Sequence, residues 1–264
     1  MTIEYGRVNV YNPNQGIMDR AQIGERDEFI NPYGEDTTQK YPLRTKLEIG
    51  PRTWRYALMG AVAGVAGKMY QSQVIEANGD VTDMAVNTAT AGDKSVEVTN
   101  GGNTAIAADE YKDGWLNVQD DTGEGYALQI KGNDAMATSA AGTVFLYDPV
   151  KVTFGAGATV SLTHPRGYKV VVAPAGITGV AAGVCMGVIT AATYCWLQTA
   201  GPVSLLQDGT TANWIQGGPV RASEDDIGGA ALEDGADNVD MPHYGLAFHP
   251  SADGEYGLVE LELE

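Results

Sequence analysis

Turn signals recur along residues 74–150 at Asn78-Gly79-Asp80, Ala91-Gly92-Asp93, Asn100-Gly101-Gly102, Asp113-Gly114, Asp121-Thr122-Gly123-Glu124-Gly125 and Lys131-Gly132-Asn133. Intervals of roughly 8–12 residues between such signals are those of an all-β domain built from short strands. The 34 glycines are about twice average usage, while an apolar content of 44% argues against general disorder. Trp115–Val118 and Tyr126–Ile130 flank an Asp-rich turn and read as a hairpin. Val144–Pro149, Lys151–Phe154, Thr159–Thr163 and Tyr168–Ala173 continue the same habit.

Gly183–Leu206 is the most strand-like long stretch. Its first half reads as a buried strand ending at Gly187-Val188-Ile189, and its second as Tyr194–Thr199. A helix would have to absorb the β-branched Val188, Ile189, Thr190 and Thr193 beside Gly187, and Gly201-Pro202 is expected to close the unit with a turn. Leu43, Thr45, Leu47 and Ile49 alternate with charged residues, Gly50-Pro51 turns the chain, and Thr53–Ala57 returns as a second hairpin arm. The run 57–67 reads as a short helix or a small-residue loop. At the other end, Leu258, Val259, Leu261 and Leu263 oppose Glu260, Glu262 and Glu264, so one face is buried and the other anionic.

The fold class expected is all-β: an extended N-terminal arm followed by β-barrel-like or β-sandwich-like domains of short antiparallel strands. The arm is placed at residues 1–44, a β-rich domain at 45–175, and a second β-rich domain, or the C-terminal half of one, at 176–264. The division near Pro174-Ala175-Gly176 follows a glycine-alanine stretch.

Charge divides the chain differently. Residues 1–56 hold eight basic and eight acidic side chains, so of the totals of 16 and 34 the remaining eight and 26 put the whole formal −18 beyond Tyr56. A body this acidic repels phosphate backbones, so no direct nucleic-acid partner is expected. The arm carries scattered apolar anchors among asparagines and prolines, more than a disordered tail would hold. An arm that orders on another surface is expected, with Tyr5, Arg7, Val10, Tyr11, Arg20, Phe29, Ile30 and Tyr33 as partner-binding candidates. The alternative is an irregular segment packed on its own domain.

Candidate reaction centres are few. His243, His249 and Asp240 lack metal-ligand spacing, the turns at Asp120-Asp121 and Glu233–Asp237 lack the calcium-loop pattern, and no nucleophile elbow or phosphate-cradling loop occurs. No catalytic residue, cofactor or metal is expected, and the chain is not read as an enzyme. Cys185 and Cys195 lie on the two arms of one proposed hairpin, where a disulfide is geometrically open but buried free thiols are favoured. The apolar run 57–67 is too short to span a bilayer, so no membrane partner is expected; no signal peptide is read at the start, and synthesis in a host cytoplasm is expected.

The succession Tyr41-Pro42-x-x-Thr45-x-Leu47, then Trp54-Arg55-Tyr56, then Ala66-Gly67-Lys68, resembles the start of tailed-bacteriophage head decoration, or capsid cement, proteins. Asp109-Glu110-Tyr111-x-Asp113-Gly114-Trp115-Leu116, Gly123-Glu124-Gly125-Tyr126, Ile130-x-Gly132-Asn133, Tyr194-x-Trp196-x-Gln198-Thr199-x-Gly201 and Gly245-Leu-Ala have the same character. The resemblance covers most of residues 41–264 and is one of texture and order. It implies a structural protein of the virion's outer capsid surface, commonly a homotrimer, that binds the major capsid protein of an expanded shell and cements adjacent subunits. A virion-associated adhesin for host surfaces or glycans is the alternative; it requires an exposed aromatic patch.

Overall fold

The computed structural model describes the backbone of residues 8–12 and 16–18, and residues 30–74, 83–87, 89–102, 104–155, 157–176, 178–208, 213–233 and 241–264 in full. Among the described residues there is no helix, and antiparallel sheets account for the regular structure. The all-β expectation is met. Two compact units emerge: unit 1 combines residues 1–74 with 166–264, and unit 2 is residues 75–165. The boundary read near Pro174 falls within unit 1; strand pairing across the intervening segment, not local glycine content, defines the unit.

Unit 1 begins with the hairpin β1 (Val8–Asn12) and β2 (Gly16–Met18), followed by β3 (Glu35–Asp36), β4 (Lys46–Ile49), β5 (Arg52–Leu58) and β6 (Met69–Gln71). Its second half resumes, beyond unit 2, with β13 (Val171–Val172), β14 (Ala181–Cys185), β15 (Tyr194–Leu206), β16 (Pro219–Ala222), β17 (Ala230–Leu232), β18 (His243–His249) and β19 (Tyr256–Glu262). These form a 13-stranded, half-barrel sheet whose main path runs β17-β16-β18-β19-β15-β5-β4-β1-β2. The expected hairpin at residues 43–57 is β4 and β5, in the register Leu47↔Trp54 and Ile49↔Arg52.

The centre of unit 1 is β15, which pairs with β5 through Cys195↔Ala57 and Leu197↔Arg55, and with β19 through Gly201↔Leu261 to Leu206↔Tyr256. The turn expected at Gly201-Pro202 is absent: the strand runs through it. A register shift between Gln198 and Ala200 absorbs the irregularity, and Gly201 adopts φ 84° where a Cβ would run into the Pro51 carbonyl. The Gln198 side-chain amide donates to the carbonyls of Ala200 and Pro202 at 3.0 and 2.9 Å, holding the bulged backbone. On the other arm, β14 stops at Cys185, short of the expected Ile189. Ala57 and Leu58 complete β5 and residues 59–67 take the loop alternative, with Gly64 bridged to Ile189.

Alternation decides the core. Trp54 and Tyr56 project to one side of β5 and join Leu47 and Trp196, while Ala57 projects to the other and joins Cys185, Cys195 and Leu197. Val203, Leu205, Val259 and Leu261 pack with Trp214, Tyr244 and Met69 in a further cluster. Both cysteines are free and buried, as favoured from sequence, and burial pushes both thiols up, Cys195 the further.

Unit 2 contains β7 (Met84–Ala85), β8 (Ser95–Thr99), β9 (Trp115–Val118), β10 (Ala127–Asn133), β11 (Ala141–Leu146) and β12 (Thr159–Thr163). The order β7-β12-β9-β10-β11-β8, with Val86 bridged to Val98, brings the two ends of the 6-stranded sheet together as a nearly closed barrel. Its interior is filled by Leu116, Val118, Ile130, Val144, Val160 and Leu162, the inward members of period-2 strands. Closure leaves little free edge for unwanted pairing.

Candidate functional site

The N-terminal edge of unit 1 is built by backbone pairing. β1 adds to β4 through Val8↔Leu47 and Asn9↔Lys46, and β2 adds to β1 through Val10↔Met18 and Tyr11↔Ile17. Of the candidate anchors, Val10 and Tyr11 thus lie on β1, while Tyr5, Arg7, Arg20 and Phe29 fall outside the described residues. Ile30 is half-buried against the Trp54 cluster, and Tyr33 is exposed, its hydroxyl accepting a 2.9 Å hydrogen bond from Arg52 Nη1. Residues 30–44, read as part of the arm, are held by unit 1 itself. Glu35 accepts bonds from the Thr190 amide and hydroxyl at 2.6 and 2.8 Å, and Tyr56 donates to Asp36 Oδ2 at 2.9 Å.

A second feature of unit 1 had no sequence signal, because its members lie far apart in the chain. Arg44, Arg55 and Arg166 gather around one carboxylate, Glu264. Arg55 makes a two-pronged bond to it, Nε to Oε1 at 2.9 Å and Nη2 to Oε2 at 2.5 Å, and its Nη1 donates to the Arg44 carbonyl at 3.1 Å. Arg44 Nη1 reaches the Ala182 carbonyl at 3.1 Å, and Arg166 Nε donates to the Ala181 carbonyl. The Arg55 guanidinium holds Glu264 well down, at about 2. Burial, then the like charges of Arg166 and Arg55, pull Arg44 down to about 9; burial also lowers Arg166, with Arg55 adding repulsion. Near by, Lys46 and Glu48 pair with each other at 2.6 Å.

Carboxylates also cluster. Asp208, Asp226 and Asp253 bring ligand oxygens within 4.8 Å of one another. Asp208 accepts from Ser223 Oγ at 2.6 Å, and burial plus the charges of Asp208 and Asp253 raise Asp226. Such a group could hold a hard cation through oxygen ligands, although Ser223 already ties one of them. The turns at Asp120-Asp121 and Glu233–Asp237 were the acidic turns visible in sequence. Asp120 Oδ1 is engaged by the Thr159 amide and hydroxyl, both at 2.9 Å, and residues 234–240, Asp240 included, lie outside the described residues. His243 faces Glu262 at 3.6 Å, and His164 stacks on Tyr111 with centroids 4.2 Å apart.

Of the four tryptophans, Trp54, Trp196 and Trp214 are core residues, but Trp115 is 47% exposed. It stands on the outer face of unit 2, opposite Gln129 of β10. Exposed Phe145 is on β11, the next strand of that face. No protein-family model, curated protein or solved structure matches the chain.

Proposed function

We propose that the chain is a structural virion protein that seats on the outer surface of an expanded capsid and cements adjacent major capsid protein subunits, acting as a homo-oligomer such as a trimer. The observation carrying this reading is the N-terminal edge, where a strand joins unit 1 by backbone pairing through Val8↔Leu47 and Asn9↔Lys46. An edge of this kind serves equally to add a neighbour's strand, with main-chain bonds giving affinity. The charge division supports it: residues 1–56, with eight basic and eight acidic side chains, suit a protein surface better than the acidic remainder, which favours solvent. A protein that binds only the expanded lattice stabilises it by its binding free energy, and a tethered arm adds to this at high effective concentration.

The test is co-sedimentation with expanded and unexpanded shells, using the full chain and a chain lacking residues 1–29. The full chain is expected to pellet with expanded shells and the truncated one at least about tenfold more weakly. If the full chain pellets with neither, the proposal falls. Exposed Trp115 and Phe145 on unit 2 favour the second reading, a glycan-binding adhesin, since aromatic faces stack on sugar rings. Retention of the full chain on a glycan array, lost in Trp115→Ala, would replace the first reading with the second.

A further inference from the structure

We propose that Arg44, Arg55 and Arg166 form an oxyanion-binding site that Glu264 fills only in part, and that the missing ligand is a carboxylate or phosphate group. Three guanidinium groups surround one side-chain carboxylate, and the adjacent Lys46 and Glu48 pair with each other. This is a basic cluster on a protein whose residues beyond Tyr56 carry the entire formal −18. Both oxygens of Glu264 are taken by Arg55. Arg44 and Arg166 instead use one nitrogen each on the successive carbonyls of Ala182 and Ala181. These two bonds fix the planes of both side chains, and the terminal nitrogens of Arg166 meet no acceptor among the described residues.

Guanidinium forks match the oxygen pairs of carboxylate and phosphate, and they do so best when already held in place. Here the holding is done by backbone carbonyls of β14, by β5 for Arg55, and at Arg44 by a left-handed backbone, φ 70°, whose amide is bonded to the Tyr56 carbonyl at 2.8 Å. An oxyanion entering beside Glu264 would bridge Arg44 and Arg166, offsetting the burial that chiefly depresses both and the smaller repulsion among the arginines. The site lies within unit 1 and does not rest on the capsid reading; failure of shell binding leaves it intact.

The experiment is thermal unfolding of the full chain at pH 7 in sodium phosphate, sodium acetate and sodium chloride at matched ionic strength, so that screening is constant. A saturable rise in Tm of about 2–4 °C over chloride is expected, from preferential binding to the folded state. A rise with acetate assigns the site to carboxylates, as a protein side chain would present; a rise with phosphate alone assigns it to phosphate groups. Arg166→Gln should abolish the rise and Arg166→Lys, which keeps the charge without the fork, should reduce it. Arg221→Gln, bonded elsewhere to Met241 and Glu233, should leave it unchanged. Equal Tm in all three salts, or an unchanged rise in both Arg166 variants, overturns the proposal.

Discussion

The Arg55–Glu264 pair fastens residues 209 apart in sequence, and its worth can be worked out from the carboxylate. Glu264 is lowered from 4.5 to about 2, a difference equivalent to roughly 3 kcal/mol at full value. The side chains are 24% and 25% exposed, so solvent screening reduces the expected contribution to about 1–2 kcal/mol. Because the folded value is depressed, this stability is complete above the unfolded value near 4.5 and is lost as pH falls towards 2. Glu264→Gln imitates the protonated side chain. In urea titrations followed by the emission of Trp54, Trp196 and Trp214 in a Trp115→Phe background, which makes it a report on unit 1, the variant should be about 1–2 kcal/mol less stable than the parent at pH 7 in chloride. The gap should close below pH 2. Equal stability at pH 7, or a gap that persists undiminished in acid, would refute the assignment of this stability to the charged pair.

Asp226 runs in the opposite sense: it is raised by burial and by Asp208 and Asp253, so its ionised form is a liability. Asp226→Asn should therefore raise Tm at pH 7, with the gain shrinking as pH falls through the raised value and the parent's own carboxyl is protonated. Gly201→Ala should destabilise unit 1 by about 2 kcal/mol or more, measured by urea unfolding, because φ 84° and the Pro51 carbonyl leave no place for a Cβ. Cys185 and Cys195 should react with a thiol reagent only in denaturant, since burial suppresses both thiolates; rapid labelling of the native chain would contradict their placement.

Strands whose partners are close in sequence were legible from period-2 alternation and turn chemistry. The hairpins β4–β5 and β9–β10, and the terminal β19, stand where Leu47, Trp115 and Leu261 placed them. Gly201-Pro202 misled because a Gly-Pro pair has the same composition whether it turns a chain or sits in a bulged strand; only its partner Leu261, supplied by β19, decides. The division into units was hidden for a related reason. β5 pairs with β15 from beyond unit 2, and no local composition records that pairing. Of the eight anchors, Ile30 and Tyr33 carry side-chain contacts with unit 1. The arginine cluster was invisible, since Arg44, Arg55, Arg166 and Glu264 share neither motif nor spacing.

The interruption of unit 1 by residues 75–165 imposes an order on biosynthesis. Unit 2 has all its strands once residue 165 is translated, whereas β5 and β6 must wait for β15 and β14 to emerge. A ribosome paused anywhere in that interval holds a nascent chain with exposed strand edges and an unshielded Trp54. Slow codons or a chaperone acting at this stage would therefore bear on the yield of folded protein.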